Sequence, residues 1–139
     1  VEINKYDKKL KVESKKLLHN GIKFSGKVIS FKQSNNHAFG VILLKLSSEE
    51  NRIFIKPDAN KEFPYRLYHD YAELYTQIPD GINVGDVVSV DSNKESFTYK
   101  FLSSNQKYEG YISVINDPID IEFISNHTMI DSNTLKKKN

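Results

Sequence analysis

The sequence predicts a mainly β fold with one or two helices, built as a single small barrel, closed or partly open. Three observations carry that expectation. Apolar and polar residues alternate over most of the chain. Ser-, Asn- and Asp-rich turns interrupt the alternation, and one stretch alone moves to helical spacing. A length of 139 residues fits one domain, and 38% apolar residues, with 8 Phe and 8 Tyr, supply a core.

Residues 1–21 are lysine-rich and read as a basic arm or short helix. Tyr6, Leu10, Leu17 and Leu18 approximate helical spacing, and Asn20-Gly21 supplies a stop. Residues 22–130 are the barrel domain. Ile22, Phe24 and Val28 share one parity, whereas Ile29 and Phe31 take the other. That phase change predicts a bulge near Gly26 in a long, bent first strand. Gln33-Ser34-Asn35-Asn36 turns the chain into a second strand over 37–46. There Phe39, Val41 and Leu43 line one face and Ile42, Leu44 and Leu46 the other, so both sides are expected to be covered. Residues 52–56 read as the third strand.

Phe63, Leu67, Tyr71, Leu74 and Ile78 then recur every three or four residues, which predicts a helix. Asp58 or Asn60 would cap it, Pro64 fits its first turn, and Pro79-Asp80-Gly81 would end it. Strands resume over 84–90 and 97–101. An additional strand pair is expected over 108–124, where Ile119, Ile121 and Phe123 alternate with acids. Residues 131–139 read as a disordered basic tail.

The resulting order, β-β-β-α-β-β, resembles the OB-fold, a five-stranded barrel with a helix sealing one end between its third and fourth strands. The resemblance covers about residues 22–102. It includes Gly26-Lys27-Val28-Ile29 at the centre of the first strand and Val84-Gly85-Asp86-Val87-Val88 opening the fourth, phrases similar to those of ribosomal and cold-shock RNA-binding barrels. It implies single-stranded nucleic-acid binding across the second and third strands. A looser likeness runs through Asn36-His37, Leu74-Tyr75, Val84-Gly85-Asp86 and Tyr99-Lys100-Phe101. These segments look like those of small, uncharacterised β-rich bacterial proteins that are often exported. In that group Gly-Asp is commonly followed by Ser and, a few residues on, Lys, where this chain has Val87, Val88 and Ser89. Position 1 is Val rather than Met, so an upstream part was cut, processed or left out, and together with the likeness this favours a periplasmic or cell-surface location over a cytoplasmic one.

Charge narrows the function classes. The net +2 conceals nine Lys against three acids in residues 1–32, and eight Lys plus Arg against fifteen acids in residues 33–135. Lys136, Lys137 and Lys138 close the chain. An acidic globular part argues against a phosphate-tracking surface, and basic ends are most simply solvated arms. With no Cys, thiolate zinc sites, iron–sulfur clusters and cysteine nucleophiles are excluded. No run approaches the ~18 apolar residues of a spanning helix.

Phe31, His37, Phe39, Arg52, Phe54 and Lys56 would line a nucleic-acid groove, against the simpler reading that the Phe side chains are core. Tyr68 and Tyr75 border the expected helix stripe and would offer rings to a partner, or simply seal the barrel mouth. His19, His37, His69 and His127 lie in four segments without metal-ligand spacing, so neither metal nor cofactor is expected. Asp80, Asp86, Asp91 and Glu95 sit in turns, where acids cap backbone amides. Nucleophile elbows and phosphate-binding loops are absent, and no enzyme is expected. The expected role is a non-enzymatic binding or assembly module whose partner is a protein or cell-envelope component. The alternative is a single-stranded nucleic-acid-binding domain.

Overall fold

A computed structural model of the protein describes residues 15–50 and 61–130, with side chains described for 15–47 and 61–130. The expected strand over 52–56, most of the basic arm and the tail over 131–139 lie outside those residues. A helical segment at 15–18 (α1) leads into strands β1 Lys23–Gln33, β2 Phe39–Glu50, β3 Tyr65–Tyr68, β4 Tyr71–Gln77, β5 Val87–Asp91, β6 Ser96–Lys100 and β7 Lys107–Tyr111. A closing helix, α2, spans Pro118–His127. The strands form one antiparallel sheet in the order β3-β4-β2-β1-β5-β6-β7, curled into an open half-barrel. Residues 112–115 leave β7 and span the gap, where Glu62 and Ile115 exchange two backbone hydrogen bonds of 2.8 Å.

The bulged first strand is present as expected. Register slips occur between Ser25 and Gly26 and between Val28 and Ser30. A Cβ on Gly26 would lie 2.6 Å from the Lys45 carbonyl oxygen, so β1 approaches β2 that closely only because the side chain is missing. The two slips add local twist and curl the sheet around its main core. That core holds Phe24, Val28, Ile42, Leu44, Tyr65, Leu74, Val88, Phe97 and Tyr99 on the inner face. The opposite face of β2 presents Phe39, Val41 and Leu43, covered by Ile124 of α2 and by Ile130 beyond it. β2 is therefore buried on both sides, as its double apolar pattern requires.

The stretch from Phe63 to Ile78 is not a helix. It is the hairpin β3–β4, with Tyr65 opposite Leu74 and Leu67 opposite Ala72, turning at His69-Asp70 with His69 at φ 54°. Tyr65, Leu67, Ala72 and Leu74 pack into the inner core, whereas Tyr68 and Tyr71 pack with the outer-face residues. A step of four is even, so Phe63 and Leu67 fit one face of a strand as well as of a helix, whereas Tyr71, past the turn, falls on the outer face. The β-favouring tyrosines and pairing against β2 decide between the two. The barrel-like architecture stands; the OB-like element order, which needs a helix here, does not.

The expected strand over 119–123 is the first half of α2. Asp117 caps it by accepting from the Ile119 amide at 2.9 Å, and Pro118 fills its first turn. On the helix Ile119 and Phe123, four residues apart, share one side while Ile121 points to another, so the period-two reading joined residues of different faces. Of the strand pair expected over 108–124, only the start is strand, since β7 ends at Tyr111. One packing prediction follows from β7. A Cβ on Gly110 would fall 2.4 Å from the Phe97 ring, so Gly110→Ala is expected to destabilise by about 1–3 kcal/mol in urea unfolding.

Candidate binding face

Among the described residues two carboxylates are buried, those of Glu73 and Asp86. Glu73, on β4, is fully buried beneath α2. Its carboxylate accepts from the Tyr75 hydroxyl at 2.8 Å, the Thr128 hydroxyl at 2.7 Å and the Met129 amide at 2.6 Å. Arg66 stands opposite it in register and donates to Glu62 at 3.3 Å. Burial, then the Glu73 charge, pushes the Tyr75 hydroxyl well above the ordinary tyrosine range, which keeps it a proton donor. Asp86 accepts from the Tyr99 hydroxyl at 2.5 Å and from the amides of Leu102 at 2.8 Å and Asn83 at 2.9 Å. Burial pushes its carboxyl upward, yet these three hydrogen bonds outweigh burial and hold it below the ordinary 3.8. Both acids are occupied with holding chain segments together, and the sequence reading of Asp86 as a turn cap fits.

The described residues among those singled out from sequence occupy different parts of the fold. Phe31 is half-buried against the inner core, while Phe39 and Tyr75 are buried under α2. Phe39 and Tyr75 therefore offer no ring to a ligand. His37 is exposed in the β1–β2 turn at φ 54°. Tyr68 is half-buried at the hairpin end, its ring 4.1 Å from that of His69. Arg52, Phe54 and Lys56 lie outside the described residues. Among those described, no three His, Asp or Glu side chains come together as metal ligands.

What the sheet does assemble is an outer face ordered by register. Lys45 pairs with Lys27, Lys27 with Val87, Val87 with Lys100, and Lys100 with Lys107. Opposed residues of neighbouring strands point to the same side, so one row crosses β2, β1, β5, β6 and β7 with four exposed lysines in it. Tyr71 opposite Lys45 and Tyr68 opposite Tyr71 continue the row to the other edge, with the Lys45 Nζ 4.6 Å above the Tyr71 ring. The neighbouring row holds Ser25, Ser89, Thr98 and Glu109, and the Ser25 and Ser89 hydroxyls touch. A shallow groove of about 500 Å³ runs along this hydroxyl row, bounded on its far side by Lys23, Asp91 and Lys94.

Several acids lie away from this row. Asp117, Asp120 and Glu122 sit on α2 or its cap, two of them held by the Asn36 amide. Glu73 and Asp86 are buried, so they add nothing to this surface. Nearer the row, Asp70 pairs with Lys45, and Glu109 and Asp91 line the groove beside it. Sequence reasoning missed the row because its members are far apart in the chain. The one local signal is that Lys27, Lys45 and Lys100 each occupy an outward position between inward-facing neighbours.

The row ends at β7, which among the described residues pairs only with β6. The Phe101 amide donates to Gln106 and the Ile112 amide to Glu95, which puts the even-numbered residues of β7 in bonded pairs with β6. By the antiparallel alternation, Lys107, Glu109 and Tyr111 turn their N–H and C=O groups outward. Tyr111 is 86% exposed. Compared with protein-family models, curated proteins and solved structures, the chain matches none of the three.

Proposed function

We propose that this protein is a non-enzymatic binding module whose partner is a protein, taken up as an added strand along β7. The outward backbone groups of Lys107, Glu109 and Tyr111 carry the reading. An unpaired antiparallel edge offers main-chain hydrogen bonds to an extended segment, and alternate side chains select it. The strand is short and carries Lys107 and Glu109, which discourages open-ended stacking of sheets while leaving one strand's worth of pairing. Engagement of the buried carboxylates in structural hydrogen bonds supports a non-enzymatic role. Location in the periplasm or on the cell surface belongs to the same proposal, on the strength of the residue-level likeness to exported bacterial proteins. Among the described residues no helix is long and apolar enough to cross a membrane.

Selection from a random extended-peptide library, followed by amide hydrogen exchange, tests the proposal. Selected peptides are expected to protect the Lys107, Glu109 and Tyr111 amides. Glu109→Pro removes an outward N–H without breaking a bond to β6, and should abolish binding while the fold persists. Peptides that protect another surface, or bind the proline variant equally well, would overturn it.

A further inference from the structure

We infer that the row of Lys45, Lys27, Lys100 and Lys107 is a track for single-stranded nucleic acid, a second site distinct from the β7 edge. Like charges directly opposite one another on a sheet are destabilising, yet this face sets Lys27 against Lys45 and Lys100 against Lys107. Among the described residues, Lys45 alone of the four has an ion pair, to Asp70 at 3.7 Å. A polyanion laid over the row relieves both repulsions at once.

Three further features select the kind of polyanion. The hydroxyls of Ser25, Ser89 and Thr98 lie one step along the strands from the lysines and are donors of the kind that phosphate oxygens accept. The face is the outside of a curled sheet, so a flat bilayer meets its crest alone, whereas a flexible strand follows the curve. At ~4.8 Å between strands, the path from Lys45 to Lys107 spans about 19 Å, room for several nucleotides. Glu109, in the hydroxyl row beside Lys107, repels phosphate and marks the end of the track.

Fluorescence anisotropy of the full chain with a labelled oligothymidylate of about ten nucleotides, at several salt concentrations, tests this. The lysine-rich ends contribute equally in every variant, so the differences report the sheet. Each lost phosphate contact should flatten the log–log salt dependence by about 0.7. Lys27→Ala with Lys100→Ala is therefore expected to reduce the slope by about 1.4 and weaken binding about tenfold or more at low salt. Glu109→Gln should tighten it. Equal binding by wild type and the double variant, with unchanged thermal midpoints, would overturn the inference. So would equal affinity for polyglutamate, which would make the face an acidic-peptide site, or retention by anionic vesicles without oligonucleotide binding.

Discussion

Replacing the buried Glu73 by Ala is expected to destabilise the protein by about 3–5 kcal/mol. The carboxylate is the common acceptor for the Tyr75 hydroxyl, the Thr128 hydroxyl and the Met129 amide. Alanine leaves the buried Tyr75 hydroxyl and two half-buried donors facing a hole, and an unsatisfied buried donor costs about 1–3 kcal/mol. The damage should be directional. Met129 and Ile130 pack on Leu43, and Glu73 fastens the segment that carries them, so the Met129 amide should exchange before the β2 amides do. Thr128→Val removes one donor and keeps the others paired, so about 1 kcal/mol is expected. Urea unfolding with residue-resolved exchange checks both. A Glu73→Ala protein within about 0.5 kcal/mol of wild type would mean the latch carries little, since that is the range of neutral surface changes.

Asp86 is expected to give the second large effect, and to make stability depend on acid. Its folded-state carboxyl is held below the ordinary 3.8, because the donors Tyr99, Leu102 and Asn83 outweigh the upward push of burial. A depressed carboxyl contributes stability that is complete above the unfolded value and is lost as pH falls through the folded one. Wild-type stability should therefore decline below about pH 4, and Asp86→Asn should flatten that decline. The Asn variant also turns an amide toward a backbone N–H, so about 1–3 kcal/mol is lost at neutral pH. Tyr99→Phe should release part of the depression and shift the acid limb upward. Thermal midpoints between pH 2 and 7 measure all three proteins; identical acid limbs in wild type and Asp86→Asn would remove Asp86 as the titrating group.

The same two acids mark how far local reasoning reaches. Asp86 follows Gly85 in a turn, so its capping role is legible from neighbours three residues away. Glu73 looks like an ordinary solvated acid in a tyrosine-rich stretch. Its burial depends on α2 crossing β2 and on Thr128 arriving 55 positions later. The hairpin over 65–77 failed for a related reason. Even steps such as Phe63 to Leu67 fit a helix face and a strand alike, and the deciding term, pairing of β4 with β2, is tertiary. In α2 the signal was present but outvoted, since Asp117-Pro118 marks a helix start while the alternation beyond it suggested a strand.

Taken alone, the chain's pattern of residues determined that this is one mainly β domain, that its first strand bends at Gly26 and that its second is covered on both faces. Those properties follow from parity, bulge chemistry and glycine, all of which act over a few neighbouring residues. The tertiary structure alone decided where charge collects. Lys27, Lys45, Lys100 and Lys107 become one row only when strand registers align them, and Asp117, Asp120 and Glu122 are set apart from it only when α2 folds over the Phe39 end of β2. Net charge is a sum over the chain, whereas the field a partner meets is a sum over positions, and the two coincide only where folding leaves charges evenly spread.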